Sequence, residues 1–182
     1  MSDKPNNTSR SPDSLNEIPS VDWLDLERNR DKFFKDLRYA LEECGFLILT
    51  NAPGFEDEFQ RRAFTEVRKF FDSPMDFKQA LSIEHSPYVR GYSSPRPSES
   101  GRAQVIESFQ YGFDEAPLCA HDDDSQPIHE RFFRGPNTWP DAEKLPGFKP
   151  TLNDLNSAYH RLTLQLGELI VESLGEDPAE FR

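Results

Sequence analysis

Gly135-Pro-Asn-Thr-Trp-Pro-Asp-Ala-Glu-Lys-Leu-Pro-Gly-Phe-Lys149 is the stretch of the chain that says most about its fold. It contains three prolines, two glycines, a tryptophan and a phenylalanine. Because proline fixes φ and has no backbone N–H to donate, the stretch is predicted to be neither a helix interior nor a central strand. An aromatic loop held by prolines usually lies against a surface and sets the direction of the next element. We therefore interpret it as a rigid corner.

The corner leads into the longest periodic segment of the sequence. Leucines and Tyr159 recur at three- and four-residue spacing between Leu152 and Leu174, which predicts a helix of about two dozen residues. At 1.5 Å per residue such a helix is roughly 36 Å long, more than a domain of this size needs for itself. Thr151 is the predicted N-cap, with Asp154 completing a variant capping box, and Gly175 is the predicted end.

Upstream of the corner, the pattern predicts an α+β unit of alternating short strands and amphipathic helices. The run at residues 46–50 is continuously apolar, so this strand is expected to be covered on both faces. Ser73 is the predicted N-cap of a short helix with Pro74 at its first position. The predicted elements are a strand at Ile18–Leu26, a helix at Arg30–Cys44 ending at Gly45, a strand at Phe46–Thr50, a helix at Glu56–Phe71, a helix from Ser73 and a strand at Val105–Phe113.

Composition narrows the class of protein. The 182 residues carry a formal net charge of −12 and include 15 phenylalanines, so binding to nucleic acid or to an anionic membrane is disfavoured. Cys44 and Cys119 are the only cysteines, and without a secretory signal they are expected to be free thiols in a reducing compartment. No apolar run approaches the roughly 20 residues that span a bilayer. Residues 1–17 are predicted to be a disordered leader, and the protein is expected to be cytoplasmic.

One short motif suggests a metal site. His121-Asp122-Asp123 supplies a His-x-Asp pair, two of the three ligands of a two-His-one-carboxylate iron site, and His129 or His160 would have to be the third. The motif lies in an acidic segment without a strand pattern, so a solvated acidic loop is the favoured interpretation. An acidic metal-binding module centred on residues 121–124 remains the alternative.

A second candidate site lies in the segment Tyr88-Val-Arg-Gly-Tyr-Ser-Ser94. Arg90 and Tyr92 place a fixed cation and a phenol on either side of a glycine. This combination suits recognition of a small molecule that bears a carboxylate, through charge-assisted hydrogen bonds. The alternative is an exposed arginine and a tyrosine that packs on the surface. Neither this segment nor any other forms a complete active site in the sequence.

Several short motifs, taken in order, resemble those of one family. Individually they are weak, and their order gives them weight. They are Ile18-Pro-Ser-Val-Asp22 (I-P-x-I-D), Cys44-Gly-Phe-Leu-Ile-Leu-Thr-Asn51 (G-F-F-x-x-x-N-H-G, with Ala52-Pro53 replacing His-Gly), Phe70-Phe71 with Ser73-Pro74 and Lys78 (F-F-x-L-P-x-x-x-K), Arg90-Gly-Tyr92 (the G-Y loop), Ile106-Glu-Ser-Phe-Gln-Tyr-Gly112 (K/V-E-x-F), and Asn137-Thr-Trp-Pro140 with Leu145-Pro-Gly-Phe148 (N-x-W-P…P-G-F).

On these motifs the chain resembles the N-terminal region of the isopenicillin N synthase-like Fe(II)/2-oxoglutarate-dependent oxygenases. The resemblance implies the helix and strand region that precedes a double-stranded β-helix, or jelly roll, with most of the jelly roll missing from this chain. Residues 18–134 would form the non-haem dioxygenase N-terminal domain. Residues 135–182 would be the corner and the long helix, leading toward an absent catalytic jelly roll.

The resemblance also implies a function. A complete enzyme of this family would use Fe(II) and 2-oxoglutarate to oxidise a small organic substrate. The family's iron ligands and 2-oxoglutarate-binding segments come later than residue 182, and His121 and Asp123 precede the Trp-Pro motif, so the ligand role does not transfer to them. We expect no catalytic residue, metal or cofactor in this chain alone, and Arg90 and Tyr92 as substrate-binding residues. The alternative is a non-catalytic module that pairs with another oxygenase chain or jelly roll, of unknown oligomeric state.

Overall fold

The computed structural model describes residues 17–95, 106–117 and 119–181. The leader predicted for residues 1–17 therefore lies outside the described residues except for its last position. The chain forms two compact units. Unit 1 comprises the described residues up to Glu56 together with those from Arg161 onward, and unit 2 comprises those from Asp57 to His160.

Short strands and helices are both present along the chain, consistent with the α+β prediction. Two short 3₁₀ turns, at Ile83–His85 and Pro178–Phe181, complete the described regular structure. The elements in order are β1 (Ser20–Asp22), α1 (Asp25–Arg28), α2 (Arg30–Tyr39) continued by one π-helical turn (Ala40–Cys44), β2 (Ile48–Thr50), α3 (Asp57–Phe71), α4 (Met75–Gln79), β3 (Gly91–Ser93), β4 (Ser108–Gln110), α5 (Ile128–Phe132) and α6 (Phe148–Ser173).

Unit 1 is built around a pair of parallel strands. In this pair, Ser20 of β1 lies beside Ile48 of β2 and Asp22 beside Thr50. Val21 points to the opposite side from these residues, because side chains alternate along a strand, and it is fully buried. Its core partners come from α2 and from the second half of α6: Phe33, Leu37, Ala40, Leu166, Leu169 and Ile170.

The other face of this strand pair is open. Phe46 and Ile48 are 70% and 51% exposed, so the prediction that the strand at residues 46–50 is covered on both faces is wrong for the described residues. The reason is that only one layer, formed by α2 and α6, packs on the pair, and it contacts Leu47 and Leu49. The run is apolar, but Phe46 and Ile48 have no covering layer among the described residues.

Unit 2 is built around an antiparallel pair, in which Tyr92 of β3 lies beside Phe109 of β4. Its core is mostly aromatic. Phe70 of α3 lies at the centre, with its ring centroid 4.9 Å from those of both Phe109 and Phe148. Five of the fifteen phenylalanines lie in this core or against it: Phe70, Phe71, Phe77, Phe109 and Phe148.

Several predicted boundaries are corrected by local hydrogen bonds. The strand predicted to reach Leu26 ends at Asp22, whose carboxylate accepts a hydrogen bond from the backbone N–H of Leu24 and turns the chain into α1. Ser73 does not cap α4, because its hydroxyl donates to the carbonyl of Lys69 in the helix before; Pro74 is the N-cap residue. Thr151 lies within the first turns of α6, which begins three residues earlier at Phe148.

The long helix is confirmed. Helix α6 has 26 residues and ends just before Gly175, whose φ is +84°. Its first half belongs to unit 2 and its second half to unit 1. Among the described residues, no helix combines the length and the apolar character that crossing a membrane requires.

Candidate functional site

The Arg90 segment has an unusual backbone. Val89 adopts φ of +54°, and Gly91 adopts φ of +125°. A β-branched residue in the left-handed region is a true outlier, and such a conformation costs on the order of 1–3 kcal/mol. Strain of this kind persists only where the surroundings enforce it, and it is concentrated at functional sites. The backbone therefore holds Arg90 in one fixed direction.

The Arg90 side chain extends across the segments that follow β4 and α5. Its Nη2 donates to the carbonyl oxygen of Phe133 at 2.6 Å, and the guanidinium packs against Gly112. Its Nε is buried and has no hydrogen-bond partner within the described part of the chain. Burial lowers the pKa of Arg90, and the charge of nearby Glu115 opposes this effect. The guanidinium is thus a partly desolvated cation with one unpaired, buried N–H, and such a cation favours a nearby anion.

The structure places Tyr92 differently from Arg90. Its side chain is fully buried in the aromatic core, with its ring centroid 6.1 Å from that of Phe70. Its hydroxyl donates to Oε2 of Glu107 at 2.7 Å. Burial raises the pKa of Tyr92 to about 12, and the hydrogen bond to Glu107 acts in the same direction. The substrate-binding role of Arg90 and Tyr92 stays a prediction.

The hydroxyl of Tyr92 belongs to a buried polar network that the sequence interpretation missed. Lys78 is buried, and its Nζ donates to Oε2 of Glu107 at 2.8 Å and to the carbonyl of Phe71 at 2.8 Å. A signal was available, because Lys78 lies three residues after Met75 and three before Leu81, on the apolar side of α4. A lysine at such a position requires a buried partner.

Replacing Lys78 by methionine is expected to lower the free energy of unfolding at pH 7 by about 2 kcal/mol, since Glu107 would lose its cation. The hydrogen bond from Lys78, and after it that from Tyr92, lowers the pKa of Glu107 below the ordinary 4.5. The carboxylate therefore stabilises the fold above the unfolded-state pKa, and this contribution is lost as the pH falls through the lower folded-state pKa. Urea denaturation at pH values from roughly 3 to 7 measures the lower stability of Lys78→Met and the loss of the Glu107 contribution in acid.

Lys32→Met is the matched control for this experiment. Lys32 pairs with Asp25 and Asp36, but its side chain is half exposed, so its loss should cost much less than that of Lys78. If Lys78→Met shows the same acid dependence of stability as the wild type, the assigned role of the Lys78–Glu107 pair is wrong.

The Trp-Pro corner is fastened to the end of β4 by two side chains. Asn137 accepts from the backbone N–H of Gly112 and donates to its carbonyl, both at 2.9 Å, which imitates one rung of a β-ladder. Asp114 accepts from the backbone N–H of Asn137 at 3.0 Å, from Nε1 of Trp139 at 3.1 Å and from Nζ of Lys149 at 2.7 Å. The prediction that this stretch is a corner lying against a surface is confirmed.

The second half of the corner packs against α3. Glu66 is buried, and a Cβ at Gly147 would lie 2.6 Å from its carboxylate. Phe148 follows at once and stacks on Phe70. Gly147 therefore leaves room for the Glu66 carboxylate, which would have to shift if this residue had a side chain.

The His-x-Asp motif has a local role in the structure. Asp123 accepts from both the backbone N–H and the hydroxyl of Ser125, at 3.1 and 2.6 Å, and the carbonyl of His121 accepts from Nε of Arg131. These are contacts of a turn. Within residues 17–95, 106–117 and 119–181, no three His, Cys, Asp or Glu side chains come together as metal ligands. Fe(II) therefore finds no fitting ligand set there. Cys44 and Cys119 are both free, as predicted.

Comparison with known proteins identifies the region. A family model described as "non-haem dioxygenase in morphine synthesis N-terminal" matches residues 18–142. The 2-oxoglutarate-dependent dioxygenase frbJ of Dothideomycetidae sp. (strain 11243) is 29% identical over 170 residues, which are 89% of this chain and 42% of that protein. Kihadalactone A synthase LFS of Citrus sinensis is 33% identical over 138 residues, which are 74% of this chain and 37% of that protein.

A solved structure extends the likeness to the fold. A full-length protein of Neurospora crassa, crystallised in complex with alpha-KG, superposes with a TM-score of 0.72 at 24% identity, covering 88% of this chain and 48% of that one. The chain spans less than half the length of these three proteins. The matched segment, residues 18–142, makes up most of the chain. The chain belongs to the non-haem dioxygenase family and represents its N-terminal region.

Proposed function

We propose that this chain is the N-terminal portion of a non-haem Fe(II)/2-oxoglutarate-dependent oxygenase that oxidises a small organic substrate. The family match supports the reaction class, because the relatives above include a 2-oxoglutarate-dependent dioxygenase. In this proposal, residues 18–134 are the N-terminal domain, and residues 135–182 lead toward a catalytic jelly roll. A cytoplasmic location belongs to the same proposal and is supported by the two free thiols.

The observation that carries the proposal is the uncovered face of the β1–β2 pair. Extending the register of Ser20 beside Ile48 back by two residues places Ile18 beside Phe46. Ile18, Phe46 and Ile48 are 53%, 70% and 51% exposed. Parallel strands are almost always buried on both faces, and a two-stranded sheet is marginal by itself. These strands therefore call for a further layer, which the longer relatives have the length to supply.

The 182-residue chain alone is expected to show neither stoichiometric high-affinity Fe(II) binding nor 2-oxoglutarate turnover. The reason is the ligand chemistry, since the described residues bring no set of His and carboxylate side chains together. Titration with Fe(II) under anaerobic conditions and assay of succinate formation measure the two properties. Tight binding at one iron per chain together with turnover would contradict the prediction.

Arg90 and Tyr92 are proposed to serve the substrate side of the complete enzyme. Arg90 is a partly desolvated cation next to a strained backbone, so it would contact an anionic group of the substrate directly. Tyr92 is buried, so it would act by holding the strand that follows Arg90. In the full-length protein, Arg90→Met is expected to raise KM for its substrate about ten-fold or more with little change in kcat.

Arg134→Met is the control for this experiment, because Arg134 is a neighbouring arginine that is already paired with Glu115. An unchanged KM in Arg90→Met would remove Arg90 from the site.

A second candidate function is a non-catalytic module that pairs with another oxygenase chain or jelly roll. The same open face at Phe46 and Ile48 favours it. Solution behaviour separates the two candidates. A monodisperse chain that melts cooperatively by itself supports the independent module, whereas a molten state that binds 8-anilinonaphthalene-1-sulfonate supports the portion of a larger enzyme.

A further inference from the structure

A cationic stripe runs along the outer side of α3. Phe64 and Thr65 each lie three or four residues from both Arg61 and Arg68, so the four residues share one helix face. Phe64 is 72% exposed, which is unusual for the most apolar type of aromatic side chain. The groove at this face has a volume of about 420 Å³ and is lined by Arg61, Phe64, Thr65, Arg68, Lys69 and Asp72.

This face is separate from the part of α3 that builds the core. The buried residues of the helix are Ala63, Glu66 and Phe70, which lie on the other side. Phe64 therefore contributes exposed apolar area and no core packing. Exposed aromatic residues flanked by arginine are the composition that protein interfaces favour.

The two arginines of the stripe also differ from their neighbours. Arg62 pairs with Asp154 at 2.8 Å and Lys69 with Glu66 at 2.6 Å. Over the described ranges, by contrast, neither Arg61 nor Arg68 forms an ion pair; Nε of Arg61 donates only to the backbone carbonyl of Asp57. In a chain with a net charge of −12, this is a local positive surface with its charge still available.

The charges of the stripe indicate which kind of partner it would bind. A second copy bound by two-fold symmetry would pack α3 antiparallel to itself about Phe64 and Thr65. Arg61 would then face Arg68, and Asp57 would face Asp72, so like charges would meet along the contact. Nucleic acid is disfavoured because two arginines are too few for the extended basic patch that a phosphate backbone requires. An acidic protein segment complements the arginines, and at physiological salt the rest of the chain is screened beyond about 8 Å.

We propose that the Arg61–Phe64–Arg68 stripe is a docking surface for an acidic amphipathic segment of a partner protein, whose apolar side chain covers Phe64 between two carboxylate contacts. The stripe from Arg61 to Asp72 covers about three helical turns, roughly 18 Å. A partner helix of that length with apolar residues at i, i+3 and i+7 and glutamates beside them has the matching shape.

The test uses the full-length protein that contains this chain and a fluorescein-labelled peptide of leucine and glutamate, about four helical turns long, with a leucine and glutamine peptide for comparison. Anisotropy is expected to show binding of the glutamate peptide only. The double variant Arg61→Glu/Arg68→Glu should weaken binding by more than about ten-fold, and Phe64→Ala by about ten-fold, which is 1.4 kcal/mol. Arg28→Glu/Lys35→Glu is the control with the same change in net charge, and it should bind as the wild type does.

Three results would overturn the proposal. The first is that the glutamate peptide fails to bind, or binds the Arg61→Glu/Arg68→Glu variant as tightly as the wild type. The second is equal binding of the glutamine peptide, which would show that apolar contact alone, without the arginine–carboxylate contacts, accounts for binding. The third is self-association of the chain in sedimentation that Phe64→Ala abolishes, which would assign the stripe to a second copy. Thermal melts of the variants must match the wild type, as their exposure predicts.

Discussion

Phe70→Ala is expected to destabilise the protein by about 3–5 kcal/mol, the range for removing a phenylalanine from a well-packed core. Phe70 is fully buried. Its ring lies within 4.9 to 6.1 Å of four others, those of Phe71, Tyr92, Phe109 and Phe148. The substitution therefore removes the buried area of one ring and several aromatic pairs together, each worth about 0.5–1.5 kcal/mol.

The loss of stability in Phe70→Ala should lie at the upper end of this range, because the cavity left by the ring cannot close easily. The rings around Phe70 are held from outside, by the partner strand in the case of Tyr92 and Phe109 and by α6 in the case of Phe148. Urea denaturation followed by near-ultraviolet circular dichroism measures the change, since it reports on the aromatic core.

Phe64→Ala is the matched control for Phe70→Ala. The two residues lie on the same helix, six positions apart, and the substitution is chemically identical. Phe64 is mostly exposed, so its replacement should change stability by less than about 0.5 kcal/mol. Equal losses for the two variants would show that burial in the aromatic core does not determine the result, since alanine is the better helix former at both positions.

The helices were predictable from the sequence because their stabilising information is local. Phe33 and Leu37 recur at helical spacing and are buried as that spacing requires. The end of this helix was also foreseen, since Gly45 adopts φ of +76° after the last turn. The periodic pattern did not predict the change from α- to π-helical hydrogen bonding at residues 40–44. In a π-helical turn the hydrogen bonds join residues five apart rather than four.

The strands and the candidate site were less predictable because they depend on distant residues. The apolar run at residues 46–50 indicated a strand correctly, but whether Phe46 is covered depends on a layer that the run itself does not specify. The pairing of Lys78 with Glu107 joins residues 29 positions apart. Arg90 was singled out by its chemistry, whereas the strained φ of Val89 has no sequence signal, since valine normally avoids that region.

Gly91→Ala is expected to destabilise the protein by about 3–5 kcal/mol, or to prevent folding of unit 2, because it combines backbone strain with a steric overlap. Gly91 adopts φ of +125°, a region that residues with a Cβ rarely enter, at a cost of about 1–3 kcal/mol. A Cβ there would also overlap the carbonyl oxygen of Leu81 and come within 3.2 Å of the backbone nitrogen of Ile83. Those atoms are backbone, so the overlap cannot be relieved by rotating a side chain.

The site should respond to Gly91→Ala as well as the fold. The carbonyl of Leu81 accepts the backbone N–H of Tyr92 at 2.7 Å, so displacing it disturbs the strand that follows Arg90.

Gly45→Ala separates the strain of a positive φ from the overlap of an added Cβ with backbone atoms. Gly45 also has a positive φ, +76°, but a Cβ added there meets nothing within 4 Å. The free energy of unfolding of Gly45→Ala should fall by only about 1 kcal/mol, the cost of the left-handed conformation. Chemical denaturation of both variants measures the difference. If Gly91→Ala lost no more than Gly45→Ala, the backbone at Leu81 would have room to move, and the fixed direction that we assign to Arg90 would lose its structural basis.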